Sequence, residues 1–292
     1  MSPTNPISSI ESQVSQPISK VVHKLYETDA RKYAAPHRWQ INRMAKFIRG
    51  QWRKRAYTRW FDQAFNDVSI FGLEHLEDLD GPCVFIANHQ SHLDTILINE
   101  SLPAHIRKSL FFGAAADRWF VKGRRKDGKR KLALEPWYQS LALGNFPIRR
   151  GGGSEALSYA HWLIKKGQHV LLFPEGTRAI DGELGAFKAG ATLLALENSV
   201  PIIPIHLSGL EKVQAKGQRH VQQGTARVDF LAPIRFSYGS DVVQATACIR
   251  RRLARVHEEL QNGDTAEAVN PKTSPNQTPT KGGDDISIPH AA

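Results

Sequence analysis

Short apolar runs that alternate with helical segments are the feature that most restricts the fold of this chain. The runs are rich in β-branched and aromatic residues and end in Gly, Pro or polar residues, a pattern typical of buried strands. They comprise residues 68–73, 83–87, 110–115, 169–173, 200–205 and 226–231. The periodicity between them predicts an α/β fold, a single domain with a mixed, largely parallel sheet flanked by helices. With 292 residues, of which 41% are apolar, the chain can bury one large core.

Composition divides the chain into four segments. Residues 1–20 and 262–292 are rich in Ser, Thr, Pro, Asn and Gly and lack apolar periodicity, so we expect disordered tails. Residues 21–65 form a basic segment with helical periodicity. Residues 66–261 hold the alternating strands and helices, and we expect the chemistry of the protein to lie there.

Charge and targeting signals narrow the possible partners. The net charge is +11 and the pI is near 9.7, which favours nucleic acid, anionic lipid surfaces or phosphorylated substrates. Residues 1–18 lack the pattern of a signal peptide, and no run of eighteen apolar residues occurs, so we expect no membrane span. Two cysteines, Cys83 and Cys248, are too few for a disulfide framework and favour a reducing compartment.

A basic helix is predicted between residues 36 and 61. One face of it carries the apolar side chains, and Arg and Lys lie mostly on the other faces. The apolar residues are Ile41, Met44, Ala45, Ile48, Trp52 and Ala56. This stripe, with its tryptophans, suits the headgroup region of an anionic membrane. It suits equally a helix whose apolar stripe packs on the core while its basic face is solvated, and both interpretations remain open.

A Gly-punctuated basic loop occupies residues 122–131. Most loops of this composition are simply solvated. The functional alternative is a contact with phospholipid headgroups, with the phosphates of coenzyme A or with an acidic carrier protein. The residues leave both interpretations open.

The segment 88–94, with the sequence NHQSHLD, follows directly on the apolar run 83–87. His89 is therefore predicted at a strand end, and Asp94 in the first turn of the next helix, with Ser91 as its cap. In this arrangement Asp94 can reach back to His89. A carboxylate that holds one ring nitrogen leaves the other free to act as a general base. The alternative is a plain capping acid beside a turn histidine, and this segment alone does not decide between them.

Further polar residues follow other strands or precede glycine-rich turns. Arg149 lies just before three glycines, and Glu175, Gly176, Thr177 and Arg178 follow the run that ends at residue 173. In α/β sheets, functional residues gather on loops just past the strand ends. Arginine is the usual bidentate partner of a phosphate, and glycine lets the backbone approach a ligand. A base beside a phosphate clamp indicates a phosphorylated substrate whose hydroxyl loses its proton.

In these segments the chain resembles the glycerolipid acyltransferases typified by 1-acylglycerol-3-phosphate (lysophosphatidic acid) acyltransferase. Four blocks match in the family's order, over roughly residues 70–235. They are NHQSHLD at 88–94, GNFPIR at 144–149, FPEGTR at 173–178 and VPIIP at 200–204. Ala179 departs from the Ser that often follows the third block, and the basic loop 122–131 is similar to an insertion. The resemblance implies a glycerol-3-phosphate acyltransferase-like fold for residues 66–261.

The resemblance also implies roles for the candidate residues. His89, oriented by Asp94, would be the catalytic base. Arg149, Gly176 and Arg178 would hold the acceptor phosphate, with Thr177 also in the substrate-binding segment. Glu175 would order that site or bond the acceptor. Ser91 is better interpreted as a helix cap than as a nucleophile, since no Gly-x-Ser-x-Gly elbow surrounds it. Residues 200–204 are expected to support the sheet or lie near the acyl chain. The remaining histidines are expected to be packing or surface residues: His92, His161, His169 and His206.

The implied reaction moves an acyl group from acyl-CoA or acyl-carrier protein to the free hydroxyl of 1-acylglycerol-3-phosphate and gives phosphatidic acid. No acyl-enzyme, cofactor or metal is expected, because the thioester donor is a co-substrate. Glycerol-3-phosphate, another lysophospholipid or an amino-acid lipid stays open as the acceptor. A different alternative is a non-enzymatic binder of anionic lipid or nucleic acid. We expect a cytoplasmic protein, peripheral on an anionic membrane surface at the cytoplasmic face, with no nucleic acid partner.

Overall fold

The computed structural model describes residues 37–120, 135–149, 156–180, 182–218, 220–237 and 239–263. Side chains in the second range are described from Tyr138 onward. The predicted tail 1–20 and the basic loop 122–131 lie outside the described residues, as does nearly all of the tail 262–292. The interpretations of these segments therefore stay predictions.

A sheet of seven strands forms the centre of the protein. The strands are β1 (Phe65–Phe71), β2 (Val84–Ala87), β3 (Leu110–Ala115), β4 (Asn145–Ile148), β5 (His169–Leu172), β6 (Ile202–Ser208) and β7 (Gly224–Phe230). Their order across the sheet is β1-β7-β6-β2-β5-β3-β4. The pairs from β6 to β4 are parallel, β7 runs antiparallel to β6, and β1 runs parallel to β7. The predicted fold class, a mixed and largely parallel sheet with flanking helices, is confirmed.

Helices cover both faces of the sheet. They are α1 (Arg43–Ala64), α2 (Asp94–Ser101), α3 (Ala104–Arg107), α4 (Ala116–Trp119), α5 (Glu135–Leu141), α6 (Ser158–Lys165), α7 (Gly190–Asn198), α8 (Leu210–Val213) and α9 (Val242–Gln261). Short 3-10 helices span Arg38–Ile41 and Leu73–Leu76. Within the described ranges, no helix combines the length and apolar character that a membrane span requires.

The alternation of side chains along β2 divides the interior into two hydrophobic clusters. Phe85 and Ala87 point into the cluster that packs beneath α1 and α2. Val84 and Ile86 point into the cluster covered by α6, α7 and α9. Because both faces of β2 are buried, its sequence is a continuous apolar run, as parallel strands between two helix layers require.

One strand was missed by the sequence interpretation. Residues Asn145–Ile148 form β4 at the edge of the sheet, paired only with β3. This strand has four residues and includes Pro147, which cannot donate a ladder hydrogen bond and is tolerated at a sheet edge. A run so short and interrupted by proline carries little strand signal, although it delivers Arg149 to the end of the sheet.

Of the two interpretations of the basic helix, the one in which its apolar stripe packs on the core does not fit the structure. Helix α1 begins at Arg43 rather than 36 and ends at Ala64. Met44, Ile48 and Trp52, which core packing would bury, have exposed fractions of 66%, 41% and 43%. Arg49 and Arg53, predicted on the other faces, are buried. Ala45 alone among the six predicted apolar residues is fully buried.

The reason lies in the groups that the two arginines meet. Arg53 donates from Nη2 to the carbonyl oxygens of Leu110 at 3.3 Å and Leu143 at 2.6 Å, at the amino ends of β3 and β4. Arg49 donates from Nε to the carbonyl of Leu141 at 3.2 Å. A buried carbonyl without a donor is costly. The hydrogen bonds from Arg49 and Arg53 to these carbonyl oxygens therefore favour the orientation of α1 that buries the two arginines.

Candidate active site

The candidate residues lie just past the carboxyl ends of the parallel strands. The strands β2, β5, β3 and β4 are parallel, so their carboxyl ends meet there. His89 lies two residues beyond β2, Arg149 directly follows β4, and Glu175 lies three residues beyond β5. Loops at this position can bring together residues that are distant in sequence.

His89 and Asp94 form a hydrogen-bonded pair. His89 Nδ1 lies 2.7 Å from Asp94 Oδ2, and Asp94 is completely buried. The same carboxylate accepts the backbone N–H groups of Gln90 and Ser91, each at 2.8 Å. An ionised carboxylate only accepts hydrogen bonds, so Nδ1 carries the proton and donates it. These three hydrogen bonds hold the carboxylate in place, and the one from Nδ1 fixes the histidine tautomer and leaves Nε2 with its lone pair.

The helix after this pair begins later than predicted. Helix α2 starts at Asp94, with Leu93 as the flanking residue, and no side chain caps it. Ser91 is therefore not the residue that flanks α2, although Asp94 lies in its first turn as predicted. Ser91 Oγ accepts from the N–H of Leu93 at 3.3 Å and donates to Gln214 Oε1 at 3.3 Å. The Ser91 N–H donates to Asp94 Oδ1, so the reciprocal contact expected of a Ser-x-x-Asp turn forms just before the helix.

The His89 ring is held on one face and open at its far nitrogen. Its ring stacks on Phe173, with centroids 4.2 Å apart and planes 22° apart. The His89 side chain is 21% exposed. Among the residues that the structure describes, none hydrogen-bonds His89 Nε2. This nitrogen can therefore take a proton from a hydroxyl that approaches from solvent or from a lipid.

Glu175 contacts the backbone of the His89 loop. Its Oε1 accepts the His89 N–H at 3.0 Å, and its Oε2 accepts the Gly185 N–H at 3.3 Å. Burial raises the pKa of the Glu175 carboxyl, and these two hydrogen bonds oppose the increase. Glu175 therefore joins the loop of His89 to the connection between β5 and α7, and its role in ordering the site or bonding the acceptor stays a prediction. Arg250 of α9 supports the outer loop by donating to the carbonyl oxygens of Leu184 and Gly185.

The segment Gly176–Arg178 forms a cationic loop beside the pair. Ala179, just after it, donates its N–H to the carbonyl of His89 at 2.6 Å. Gly176 has φ +69°, and a Cβ there would lie 2.7 Å from Lys188 Nζ, so glycine leaves space for that ammonium. Burial and the neighbouring Arg118 lower the pKa of Arg178 below its ordinary value. Positive groups converging on an exposed loop suit an anionic ligand.

Arg149 lies farther from the base than the other candidates. It sits beyond the end of β4, and the two strands β5 and β3 separate β4 from β2. Three strand spacings correspond to roughly 14 Å. No described side chain pairs with the Arg149 guanidinium in an ion pair. His89 and Glu175 are in direct contact, whereas Arg149 lies at the same ends of the strands on the far side of β5 and β3.

The other histidines have structural surroundings. His169 and His206 are buried, His161 pairs with Glu197 at 2.8 Å, and His92 meets the ring of Trp119 edge-on. Cys83, also buried, contacts His169. A search of the described ranges finds no group of three or more His, Cys, Asp or Glu side chains arranged to hold a metal ion.

Three contributors to the site were missed from sequence. The Asn88 carboxamide pairs with the backbone of Leu207, donating at 2.9 Å and accepting at 2.7 Å, and so fastens the loop to β6. Phe173 belongs to the third matched block, and its stacking on His89 was not predicted. Lys216 donates from Nζ to Thr177 Oγ1 at 3.3 Å and to the Arg178 carbonyl at 3.0 Å. Lys216 lies in an irregular segment, and nothing in its sequence surroundings indicates this contact.

Comparisons with known proteins find chains of similar sequence. The acyltransferase family model matches residues 67–208. The chain is 35% identical over 180 residues to 1-acyl-sn-glycerol-3-phosphate acyltransferase BAT2, chloroplastic, of Brassica napus, covering 60% of this chain and 46% of that protein. It is 30% identical over 176 residues to 1-acyl-sn-glycerol-3-phosphate acyltransferase alpha of Homo sapiens, covering 57% and 54%. The chain thus spans about half the length of the curated relatives it matches.

A solved structure has the same fold. The crystal structure of the 1-acyl-sn-glycerophosphate (LPA) acyltransferase from Thermotoga maritima matches with a TM-score of 0.56 and 23% sequence identity. The match covers 81% of this chain and 90% of that chain. The similarity therefore extends over most of the sheet and the helices that flank it.

Proposed function

We propose that this protein, whose residues 67–208 match the acyltransferase family model, moves a fatty acyl group from acyl-CoA or acyl-carrier protein to the free hydroxyl of 1-acylglycerol-3-phosphate. The product is phosphatidic acid. The observation that carries the proposal is the 2.7 Å contact between His89 Nδ1 and the buried Asp94 carboxylate, beside the cationic loop Gly176–Arg178. A base next to cationic groups suits an acceptor that has both a hydroxyl and a phosphate.

In the proposed reaction His89 is the catalytic base. Its Nε2 takes the proton of the acceptor hydroxyl as the hydroxyl oxygen attacks the thioester carbonyl. A carbon–oxygen bond forms, the carbon–sulfur bond breaks, and the imidazolium returns the proton to the leaving thiolate. Asp94 stabilises the imidazolium through Nδ1 and keeps the tautomer that the reaction needs. Acyl transfer is direct, so no nucleophilic side chain is required.

The acceptor phosphate has several cationic partners in this proposal. Arg178 and the backbone of Gly176 and Thr177 lie next to the base, and Arg149 approaches the phosphate from the end of β4. Guanidinium groups bind phosphate in a bidentate manner, which also fixes its orientation. Orientation matters because a reacting hydroxyl must lie within hydrogen-bond reach of Nε2.

The test is thiol release from acyl-CoA in the presence of 1-acylglycerol-3-phosphate. We expect His89→Ala to lower kcat at least about a hundredfold, since a general base contributes on the order of 10² to 10⁴. His92→Ala is the matched control, because it removes a histidine from the same segment. Circular dichroism and thermal unfolding check that both variants fold. A His89→Ala enzyme with ordinary kcat would refute the assignment of the base.

We further propose that α1 docks this enzyme on an anionic bilayer surface. Met44, Phe47, Ile48 and Trp52 are exposed and recur at the spacing of one helix face. At 100° per residue, Arg55 continues the same stripe and is also exposed. An exposed apolar stripe with adjoining cations suits the boundary between acyl chains and anionic headgroups.

Vesicle sedimentation tests the docking surface. We expect the protein to bind vesicles of phosphatidylglycerol more tightly than vesicles of phosphatidylcholine, and the double variant Phe47→Ala, Trp52→Ala to lose at least about tenfold in affinity. Val243→Ala is the control, since Val243 is 70% exposed and lies on α9. Equal vesicle binding by the double variant and the control would contradict docking through α1.

A further inference from the structure

A polar cavity lies beside the catalytic loop. It has a volume of about 100 Å³ and is lined by Gln90, Ala179, Gly182, Glu211, Ala215 and Lys216. The walls come from the segment that follows β2, the segment that follows the cationic loop, and the connection between α8 and β7. Three of the six lining residues are Ala or Gly, so the space is bounded by small side chains.

Two of the lining residues carry a buried oxygen atom without a donor. Within the described residues, Gln90 Oε1 and Glu211 Oε2 are buried and have no hydrogen-bond partner. Gln90 as a whole is only 3% exposed. A Cβ built on Gly182 would lie 3.8 Å from Glu211 Oε2, so that oxygen faces the Gly182 wall. Buried acceptors are normally satisfied, so two such oxygens on residues that line one cavity suit a ligand that donates hydrogen bonds.

The cavity adjoins the proposed phosphate site. Lys216 lines the cavity, and its Nζ donates to Thr177 Oγ1 and to the Arg178 carbonyl. Gln90 is also next to the base, and its own N–H is bonded to Asp94. A phosphate held by the cationic loop would therefore direct any substituent on its far side toward this space.

Volume restricts the ligand. A water molecule takes about 30 Å³ in the liquid, so the cavity holds about three waters or one small group. Pockets for drug-sized molecules are larger, roughly 300–1,000 Å³. An acyl chain or a nucleotide therefore does not fit, whereas a two- or three-carbon alcohol or amine does.

We propose that this cavity is a head-group subsite for lysophospholipids whose phosphate carries a small hydrogen-bond-donating group, a hydroxyl or an ammonium. The subsite rests on the proposed acyltransfer and extends it to the acceptor head group. The donating group bonds Gln90 Oε1 and Glu211 Oε2, and the phosphate stays on the cationic loop. The hydroxyl to be acylated stays at His89.

The test compares four acceptors in the thiol-release assay: lysophosphatidic acid, lysophosphatidylethanolamine, lysophosphatidylglycerol and lysophosphatidylcholine. Choline is the matched negative probe, because its methylated nitrogen cannot donate. We expect kcat/KM for the ethanolamine or the glycerol acceptor to exceed that for choline at least about tenfold, the effect of one hydrogen bond to a charged group. The stronger of the two acceptors tells ammonium from hydroxyl.

Variants connect this preference to the cavity. Glu211→Gln and Ala215→Leu, which respectively weaken the acceptor and fill the space, should bring the preferred acceptor to within about threefold of choline. Glu258→Gln, the same chemical change on the exposed part of α9, should keep the wild-type preference. Thermal unfolding checks the folding of each variant. A wild-type enzyme without preference, or a preference that both cavity variants keep, would overturn the subsite.

Calorimetric binding separates this inference from the proposed function. Glycerophosphoethanolamine, glycerophosphoglycerol and glycerophosphocholine report on the cavity without turnover. Loss of acylation with every acceptor would refute the acyltransferase, and the calorimetric ranking would still test the cavity. Acylation of lysophosphatidic acid with equal binding of all three head groups would refute the subsite alone.

Discussion

Arg53 lies at the amino ends of β3 and β4, and Arg149 lies at the carboxyl end of β4. Their surroundings are opposite. Arg53 is 4% exposed, and its guanidinium donates to Asn99 Oδ1 and to the carbonyl oxygens of Leu110 and Leu143. Arg149 is partly exposed beyond the carboxyl end of β4, where we propose that it meets phosphate. Both terminal nitrogens of the Arg53 guanidinium are bonded within the fold, whereas the Arg149 guanidinium has donors available to a ligand.

The difference shows what a basic residue in the sequence can mean. Both residues lie in basic stretches of a chain with net charge +11. Burial lowers the pKa of Arg49, the neighbour of Arg53 on α1, to about 9. A charged guanidinium is therefore unfavourable at the amino ends of β3 and β4. The buried carbonyl oxygens compensate, because each would be costly without a donor. Charge alone therefore does not tell a binding residue from one that supports the fold.

The largest effect is expected on stability, when Arg53 is replaced at the amino ends of β3 and β4. Arg53→Met should lower the free energy of unfolding by about 3 kcal/mol, since it leaves several buried acceptors without donors. Urea unfolding of wild type and variant measures the change. Arg178→Met is the control at the carboxyl ends of the strands and should change the free energy of unfolding by less than about 0.5 kcal/mol. Equal destabilisation by both variants would contradict the distinction between a structural arginine at the amino ends and a binding arginine at the carboxyl ends.

The next effect concerns binding of the acceptor phosphate by Arg149, at the carboxyl end of β4. Arg149→Met should raise the KM for 1-acylglycerol-3-phosphate roughly ten- to a hundredfold, because a bonded guanidinium–phosphate contact contributes about 1.5–3 kcal/mol. Monoacylglycerol, which lacks phosphate, should show no such difference between variant and wild type. Steady-state kinetics with both acceptors measure the contrast. An unchanged KM for the phosphorylated acceptor would remove Arg149 from the proposed site.

The smallest effect is a pH dependence at Glu175. Burial raises the pKa of this carboxyl in the folded protein, so between the ordinary value of 4.5 and the raised value only the unfolded chain loses the proton. The contribution of Glu175 to stability therefore falls as pH rises through that window. Glu175→Gln should abolish this component in unfolding curves measured from pH 4 to 7. A component of the same size in the variant would assign it to other groups.

The sequence predicted the fold where local pattern determines it. The continuous apolar run of β2 and the full extent of β3 were recognisable, because burial on both faces demands such runs. The short edge strand β4 gave no comparable signal. Periodicity indicated a helix in α1 but could not tell which side faces the core, because the acceptors of Arg53 lie 54–90 residues away.

The same division applies to the candidate site. His89 and Asp94 are five residues apart, so their contact was accessible to local reasoning. Glu175 and His89 are 86 residues apart, and Lys216 meets Thr177 across 39 residues. Contacts of this range depend on strand order, which residue patterns do not specify. The catalytic and binding roles themselves stay predictions that the kinetic experiments test.

The contacts around His89 bear on how such an enzyme can change its substrate preference. Glu175 holds the N–H of His89, and Ala179 holds its carbonyl, so one loop both binds the acceptor in our proposal and aligns the base. A mutation within this loop therefore alters recognition and rate together. Residues outside this loop, such as Glu211, can change acceptor recognition without lowering the rate. We therefore expect substitutions that alter acceptor preference to occur around the site, while the loop itself is retained.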